Sequence, residues 1–213
     1  NAPSVLVGDF LYSRAFQMMV DIQNMPIMSV LSNATNIIAE GEVFQLMNCK
    51  NPDVSEKAYF EVIKNKTAML FEAASHSASV LANAKETHCT AMREYGLQLG
   101  LAFQLVDDML DYTGDPEAMG KNVGDDLAEG KPTLPLIQAM KVSSDTDTKT
   151  IRKAIRNGDT SALDQICDIV KLSGALQYTQ DAAESCRQKA LDSLSDIPRS
   201  PYKDALIALA NIA

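Results

Sequence analysis

Apolar residues recur along this chain at intervals of three and four positions, which is the spacing of one face of an α-helix. No run of strand length alternates apolar and polar residues, and only 8 prolines are present to interrupt helices. A turn is expected at the Asn-Pro-Asp sequence of residues 51–53. The pattern predicts helices over residues 4–20, 26–46, 55–71, 90–112, 134–140, 149–156, 162–172, 176–194 and 202–212.

Composition agrees with a single all-α domain over residues 1–213. Hydrophobic residues make up 46% of the chain and charged residues 22%, which is usual for a globular protein with a substantial core. The net charge of -9 repels nucleic acid and anionic membranes, so neither is an expected partner. No uninterrupted apolar run is long enough to cross a membrane. The 4 cysteines are widely spaced, which argues against a zinc site and favours thiols in a reducing cytoplasm.

The densest group of candidate functional residues lies on the helix over residues 90–112. At about 100° per residue, Asp107 and Asp111 share one helical face, with Asp108 beside them. Three carboxylates so close together repel one another, and the negative end of the helix dipole adds to the cost. No lysine or arginine lies three or four positions away. Because Mg²⁺ prefers oxygen ligands and is usually shared with substrate phosphates, these aspartates predict a magnesium site.

A solvated acidic patch at a helix end is the alternative explanation of these aspartates, and for an isolated D-D-x-x-D it is the more common one. The same helical face continues backward through Gln104 to Gly100 and Gly96. Each glycine costs about 1 kcal/mol relative to alanine inside a helix. Two glycines one turn apart therefore indicate that something approaches the backbone closely, which weakens the solvated-patch explanation.

Residues 113–135 differ from the rest of the chain, because glycines, prolines and mixed charges replace the helical pattern. The segment predicts a long loop, which in a compact domain is usually functional or disordered. Lys121 and Lys131 could neutralise a diphosphate, and the acids Asp125 and Asp126 between them could hold a metal or fix the lysines. A Walker A phosphate-binding loop is excluded by the glycine spacing and by the helix, rather than strand, that precedes the segment.

A second candidate phosphate-binding group is Lys-Asn-Lys-Thr at residues 64–67. Lys66 and Thr67 could offer a cation and a hydroxyl to phosphate, or they could lie on an ordinary exposed helix face. Glu42 and Gln45 interrupt an otherwise apolar helix, either as buried polar supports or as solvated side chains. The residue types alone leave both pairs of alternatives open.

Five stretches, taken together, carry a family resemblance. FQLVDDMLD at 103–111 and GKNVGDDLAEGKPTLP at 120–135 resemble the second aspartate-rich region of the trans-isoprenyl (polyprenyl) diphosphate synthases. Three further stretches agree: VLVGDFLYSRAF at 5–16, AEGEVFQLMN at 39–48 and NKTAMLFEAA at 65–74. Within the family, these sequences are most similar to those of the bacterial octaprenyl diphosphate synthases. The joint occurrence of these stretches, in order, is far more specific than any one motif.

The resemblance implies an isoprenoid-synthase-type helical bundle around a central apolar cavity, usually a homodimer. It implies a Mg²⁺-dependent prenyltransferase that elongates an allylic diphosphate, here expected to be farnesyl diphosphate, with isopentenyl diphosphate units. The expected product is an all-trans polyprenyl diphosphate of octaprenyl length, which would supply a quinone side chain such as that of ubiquinone.

The resemblance also assigns roles to individual side chains. The residues that match the second metal cluster are Asp107, Asp108 and Asp111. The residues that match contacts to the allylic diphosphate or its carbocation are Lys66, Thr67 and Gln104. The lysines that match the diphosphate cage are Lys121 and, with weaker similarity, Lys131. These roles agree with elementary chemistry, because a diphosphate leaves poorly unless Mg²⁺ and lysines neutralise its growing charge.

One departure from the family pattern concerns the beginning of the chain. The family has two facing aspartate-rich clusters, and the first would lie upstream of Val5, so we expect the domain to lack its N-terminal part here. Two other functions stay open. A non-catalytic subunit that regulates a catalytic partner would explain the missing cluster. A terpene cyclase would share the metal-triggered ionisation, although Lys66 and Lys121 fit chain elongation better.

Overall fold

The computed structural model describes residues 2–113 and 123–212, and within them it contains helices and no β-strand. The α-helices of these residues are α1 (Ala2–Asp21), α2 (Met25–Asn48), α3 (Glu56–Ile63), α4 (Met69–Leu81), α5 (Glu86–Thr113), α6 (Asp125–Ala128), α7 (Leu134–Val142), α8 (Asp145–Asn157), α9 (Leu163–Leu172), α10 (Ala175–Ser193) and α11 (Pro201–Ala210). The predicted all-α fold class is confirmed.

Helix α5 lies at the centre of the bundle, with α4 and α10 as its main packing partners. Its residue Leu105 is fully buried in a cluster with Ile63 and Leu134. Near its C-terminal end, Tyr112 is buried in a second cluster that includes Leu136 and Ile155. Apolar burial of this kind, worth roughly 25 cal/mol per Å², holds the last turns of α5 in place. The aspartates of those turns are therefore carried on a fixed support.

Helices α3 and α4 are joined by a π-helical turn at Lys64–Ala68. The amide of Met69 donates a hydrogen bond to the carbonyl of Lys64, five residues earlier in the chain. Single π-turns within α-helices occur frequently at functional sites. The sequence pattern predicted one uninterrupted helix over this region, because a widened turn leaves the apolar periodicity on either side nearly unchanged.

Side-chain caps set several helix boundaries. The Asn24 carboxamide oxygen accepts a hydrogen bond from the Ile27 amide at 3.1 Å, which starts α2. Ser144 accepts one from the Asp147 amide at 3.2 Å, and α8 consequently begins before the predicted start at residue 149. The loop predicted over residues 113–135 contains α6, whose Leu127 is buried in the core.

Helix α1 differs from the others because it packs only lightly, against α2. Large apolar side chains along it are exposed, among them Leu6 and Phe10, each 67% exposed. On α2, Val43 and Met47 are also exposed. Extensive exposed apolar surface usually marks an interaction site. Among the described residues, no helix is both long and apolar enough to cross a membrane.

Candidate active site

A cleft of about 200 Å³ opens between the C-terminal end of α2, the α3–π–α4 helix, α5 and the segment leading into α7. Its apolar wall is formed by Val54, Val62 and Ile63. The predicted site residues that line it are Lys66, Thr67, Gln104, Asp107, Asp108 and Lys131. The predicted Lys121 lies outside the described residues. Groups from three separate stretches of the sequence thus meet in one space.

The three aspartates of α5 do not occupy equivalent positions. Asp107 and Asp108 are on the wall of the cleft, although only 3% of Asp108 is exposed. Asp111 is 1% exposed and lies outside the lining of the cleft. Its carboxylate accepts a hydrogen bond from the amide of Asp126 at 3.3 Å, and its carbonyl accepts one from Gly124 at 3.0 Å. Asp111 therefore ties the end of α5 to the start of α6.

The carboxylate of Asp108 is held by two hydrogen bonds. The Tyr59 hydroxyl donates to one oxygen and the Gln104 amide nitrogen to the other, each at 2.7 Å. The same amide nitrogen lies 3.3 Å from the Asp107 carboxylate, and the Gln104 carbonyl oxygen accepts from the Thr67 hydroxyl at 2.8 Å. Gln104 is thus the link between the aspartates of α5 and the π-turn.

The carboxyl of Asp108 has a pKa close to neutral pH. Burial raises the pKa of this carboxyl to about 7, and the nearby Asp126 acts in the same direction. The hydrogen bonds from Tyr59 and Gln104 oppose the shift without cancelling it. A buried carboxylate in these surroundings is stabilised by a cation placed beside it.

The π-turn places Lys66 at the edge of the cleft, where α2 supports it. The Lys66 ammonium group donates a hydrogen bond to the Gln45 side chain and lies 3.0 Å from a carboxylate oxygen of Glu42. Helix α2 approaches closely because Gly41 has no side chain: a Cβ there would lie 2.9 Å from the Lys66 amide nitrogen. Of the two alternatives left open by the sequence, Gln45 is a polar support of Lys66.

Lys131 faces the cleft from the segment after α6. Its ammonium group lies 2.9 Å from Asp126 and 2.7 Å from Glu129. Burial acts to lower the pKa of Lys131, but these two carboxylates outweigh it and the pKa is raised above its ordinary value. Lys131 is therefore a permanent positive charge in the cleft. Asp126 has the lysine-fixing role that was one of its two predicted alternatives.

The glycines behind the aspartates serve the packing of two helices. A Cβ at Gly96 would lie 2.4 Å from the Phe71 carbonyl oxygen, and one at Gly100 would lie 2.6 Å from the Ala68 Cα. The close approach predicted from the sequence is confirmed, but α4 and the π-turn make it, and no ligand is needed to explain it. These glycines are therefore no evidence for a ligand-binding face.

Tyr59 is the residue of the cleft that sequence reasoning missed, since it was read only as an apolar position of α3. It is 4% exposed, and its hydroxyl reaches Asp108 across the core. The available signal was spacing: Tyr59 precedes Lys66 by seven residues, which is two helical turns, and regular helix geometry puts residues so spaced on one face.

The donor set of the cleft suits a metal ion that is shared with a phosphate ligand. Within residues 2–113 and 123–212, no three Asp, Glu, His or Cys side chains are arranged to hold a metal ion by themselves. Asp107 and Asp108 nevertheless line the same cleft as the cations Lys66 and Lys131. Mg²⁺ is commonly bound by one or two carboxylates together with substrate phosphates, and this arrangement fits such a site.

The fold and the cleft define a known class of protein: the chain belongs to the polyprenyl synthetase family, whose family model matches residues 1–172. Over its whole length it is 48% identical to the octaprenyl diphosphate synthases of Haemophilus influenzae and Escherichia coli. It spans 65% and 66%, respectively, of the length of those two relatives. The predicted family and the similarity to octaprenyl diphosphate synthases are confirmed.

Solved structures give the same result for the fold. The polyprenyl synthase of Caulobacter crescentus CB15, complexed with calcium and isoprenyl diphosphate, matches 99% of this chain with a TM-score of 0.94 and 44% identity. A decaprenyl diphosphate synthase from Rhodobacter capsulatus matches 98% with a TM-score of 0.90 and 39% identity. This chain covers 65% of each of those two chains. The predicted isoprenoid-synthase fold is confirmed.

Proposed function

We propose that this chain forms the metal- and diphosphate-binding part of a Mg²⁺-dependent trans-polyprenyl diphosphate synthase. The observation that carries the proposal is the cleft, where three carboxylates and two lysines meet hydroxyl and carboxamide side chains beside an apolar wall. The substrates would be an allylic diphosphate, with farnesyl diphosphate as the expected primer, and isopentenyl diphosphate. The new bond would join the allylic carbon to isopentenyl diphosphate, with release of inorganic diphosphate and a proton.

Each side chain of the cleft has a role in that reaction. Lys66 and Lys131 would bind the diphosphate of the allylic substrate and stabilise the negative charge that grows as it leaves. The Thr67 hydroxyl would donate to a phosphate oxygen, and Gln104 would orient Thr67 and the aspartates through its hydrogen bonds. Lys121 stays a predicted member of the same cage.

Asp107 and Asp108 would hold Mg²⁺ at the cleft, and the ion, when bound, would neutralise the diphosphate as a Lewis acid. Asp111 stays a predicted member of this cluster, although its hydrogen bond to the Asp126 amide gives it a structural role as well. The apolar wall of Val54, Val62 and Ile63 would keep water away from the carbocation.

Product length and assembly are finer proposals. Octaprenyl diphosphate is proposed from the relatives at 48% identity. A relative from Rhodobacter capsulatus at 45% identity is described as an all-trans-nonaprenyl-diphosphate synthase, so length varies among close relatives. A homodimer is proposed because α1 and α2 expose a broad apolar surface. A role in quinone side-chain supply and a cytoplasmic location stay predictions from the resemblance.

The test of the proposed function is chain elongation. The chain is assayed alone, and fused to the part of the Haemophilus influenzae relative that it does not cover, with farnesyl diphosphate, labelled isopentenyl diphosphate and Mg²⁺. We expect the fusion to produce all-trans polyprenyl diphosphates and Asp107→Ala to abolish them. A fusion that folds but yields no elongated product, or yields as much with Asp107→Ala, contradicts the proposal. A cyclic hydrocarbon product would instead identify a terpene cyclase.

The same assay tests the regulatory alternative. The chain alone is added to the complete Haemophilus influenzae relative, and their association is measured by co-purification. A stable complex with an altered product length, together with an inactive fusion, would identify a non-catalytic subunit.

A further inference from the structure

The hydroxyl of Tyr59 occupies an unusual position for a core tyrosine. It is directed at the carboxylate of Asp108, 49 residues away in the chain, and the 2.7 Å hydrogen bond between them is buried. An ionised carboxylate can only accept hydrogen bonds, so toward ionised Asp108 the tyrosine hydroxyl is the donor. Hydrogen bonds to an ionised group are shorter and stronger than those between neutral groups.

Each of the two oxygens of the Asp108 carboxylate accepts one side-chain hydrogen bond. Tyr59 serves one oxygen from α3, and Gln104 serves the other from one turn earlier on α5. Because Asp108 is only 3% exposed, water cannot readily replace either donor. Removing the Tyr59 hydroxyl would therefore leave one buried carboxylate oxygen without its donor, which is costly in a site of low polarity.

The consequence of that loss would reach the cleft through Gln104. The Gln104 amide nitrogen is divided between Asp108 at 2.7 Å and Asp107 at 3.3 Å. Its carbonyl oxygen is oriented by the Thr67 hydroxyl at 2.8 Å. If Asp108 shifts, the Gln104 side chain must reorient to keep its hydrogen bonds. That reorientation would move Asp107 and Thr67, which are hydrogen-bonded to the same carboxamide.

We propose that Tyr59 is a positioning residue that holds Asp108 and, through Gln104, sets the orientation of Asp107 and Thr67 for binding Mg²⁺ and diphosphate. The inference rests on the proposed function of the cleft. Tyr59 would touch neither the metal nor the substrate in this role. Partners that orient metal-binding side chains typically change metal affinity by about 10–100-fold when they are removed.

A purely structural role for Tyr59 makes a different prediction. Its ring packs in the apolar cluster with Ile63, Leu101 and Leu105, and edge-on against Phe60 with ring centroids 5.4 Å apart. Packing by the ring is preserved when tyrosine is replaced by phenylalanine, whereas positioning by the hydroxyl is lost. The variant Tyr59→Phe therefore separates the two roles.

Tyr95→Phe is the matched control. Tyr95 is also buried, at 2% exposed, and its hydroxyl also makes one internal hydrogen bond, to the carbonyl of Leu206 at 2.8 Å. This bond lies in the cluster with Ala190 and Leu194, which contributes nothing to the cleft. Both variants lose one internally hydrogen-bonded hydroxyl, but only Tyr59→Phe alters the support of Asp108.

The experiment is a calorimetric titration of the whole chain with inorganic diphosphate over a series of Mg²⁺ concentrations. We expect Tyr59→Phe to raise the Mg²⁺ concentration needed for half-maximal diphosphate binding by about tenfold, and Tyr95→Phe to leave it unchanged. Urea unfolding of each variant shows whether fold stability accounts for the difference. Unchanged Mg²⁺ dependence in Tyr59→Phe, whatever its stability, would overturn the proposal.

A double-mutant cycle tests whether Tyr59 acts through Asp108. If it does, Tyr59→Phe combined with Asp108→Asn weakens binding no more than Asp108→Asn alone, because the partner of the hydroxyl has already been changed. Additive losses would overturn the proposed route. If the unmodified chain shows no Mg²⁺-dependent diphosphate binding, the proposed function of the cleft fails. If the unmodified chain and Tyr59→Phe bind diphosphate equally well, only the role of Tyr59 fails.

Discussion

The two halves of α5 each carry residues that an isolated helix disfavours, and they do so for different reasons. In the N-terminal half, Gly96 and Gly100 lower helix propensity but allow α4 and the π-turn to pack directly against the backbone. In the C-terminal half, Asp107 and Asp108 repel one another on the wall of a cleft that also holds lysines. The residues of the first half lower helix stability and permit close packing, whereas those of the second half lower it and, in our proposal, permit binding.

This difference teaches how unfavourable residues in a helix can be interpreted. Both the glycines and the aspartates indicate that something outside the helix compensates their cost. Only the three-dimensional arrangement identifies the compensating partner, which is a neighbouring helix in one half and, in our proposal, a metal ion with diphosphate in the other. Substitutions in the two halves should therefore affect different measurements.

The largest effect is expected from Asp107→Ala in the C-terminal half. We expect Mg²⁺-dependent binding of inorganic diphosphate, measured by calorimetry, to weaken by about 100-fold or more, because a carboxylate ligand is lost. The free energy of unfolding in urea should change by less than about 0.5 kcal/mol, since Asp107 is only partly buried. Strong destabilisation with intact binding would mean that Asp107 is structural and would remove the contrast between the halves.

The next effect is expected from Gly96→Ala in the N-terminal half. The new Cβ would meet the Phe71 carbonyl oxygen at 2.4 Å and the Glu72 Cα at 2.8 Å, so the backbone of α4 must move. We expect a loss of about 1–3 kcal/mol in the free energy of unfolding despite the better helix propensity of alanine. Diphosphate binding by the folded protein should remain.

Gly8→Ala is the control for that substitution. Gly8 lies within α1, and a Cβ there would have nothing within 4 Å. Its replacement should be neutral or stabilise the protein by up to about 1 kcal/mol in the same urea titration. A Gly96→Ala protein that is as stable as Gly8→Ala would show that α4 does not need the close approach.

The smallest effect concerns the pH dependence of stability. The folded-state pKa of Asp108 is raised to about 7 by burial, so the folded protein binds this proton more tightly than the unfolded chain does. Stability from this group is therefore present at low pH and falls as pH rises from about 4 to about 7. In metal-free buffer, we expect Asp108→Asn to remove a decrease in the free energy of unfolding between pH 5 and pH 8.

The exposed Glu94 provides the comparison for the pH experiment. Its side chain lies on the N-terminal half of α5 and accepts a hydrogen bond from Gln98. Glu94→Gln should leave the unfolding free energy with the same pH dependence as the unmodified protein. If Asp108→Asn also leaves that dependence unchanged, the Asp108 carboxylate is not the group that makes the folded state sensitive to pH.

Much of the fold could be predicted from the sequence, because apolar periodicity reports which face of each helix is buried. The π-turn could not, since it alters hydrogen bonding within a helix without breaking its apolar pattern. The start of α8 was placed too late because its first turn, which follows the Ser144 cap, consists of polar residues. Apolar periodicity cannot detect such a turn.

The candidate site was predictable only in part. Residue type and family resemblance selected Lys66, Gln104 and Asp107, and the structure places all three in one cleft. The distinct positions of Asp108 and Asp111 depend on how deeply each turn of α5 is buried, and spacing along one helix cannot give that. Tyr59 was missed for a similar reason, because the hydrogen-bond partner of its hydroxyl, Asp108, lies on another helix.

The most direct test of the central claim is a crystal structure of the chain with Mn²⁺, used as an anomalous scatterer in place of Mg²⁺, and inorganic diphosphate. The account predicts an anomalous peak within coordinating distance of the Asp107 carboxylate, shared with diphosphate oxygens that also contact Lys66 and Lys131. Diphosphate bound away from this cleft, or bound in it with no metal at Asp107, would contradict the account.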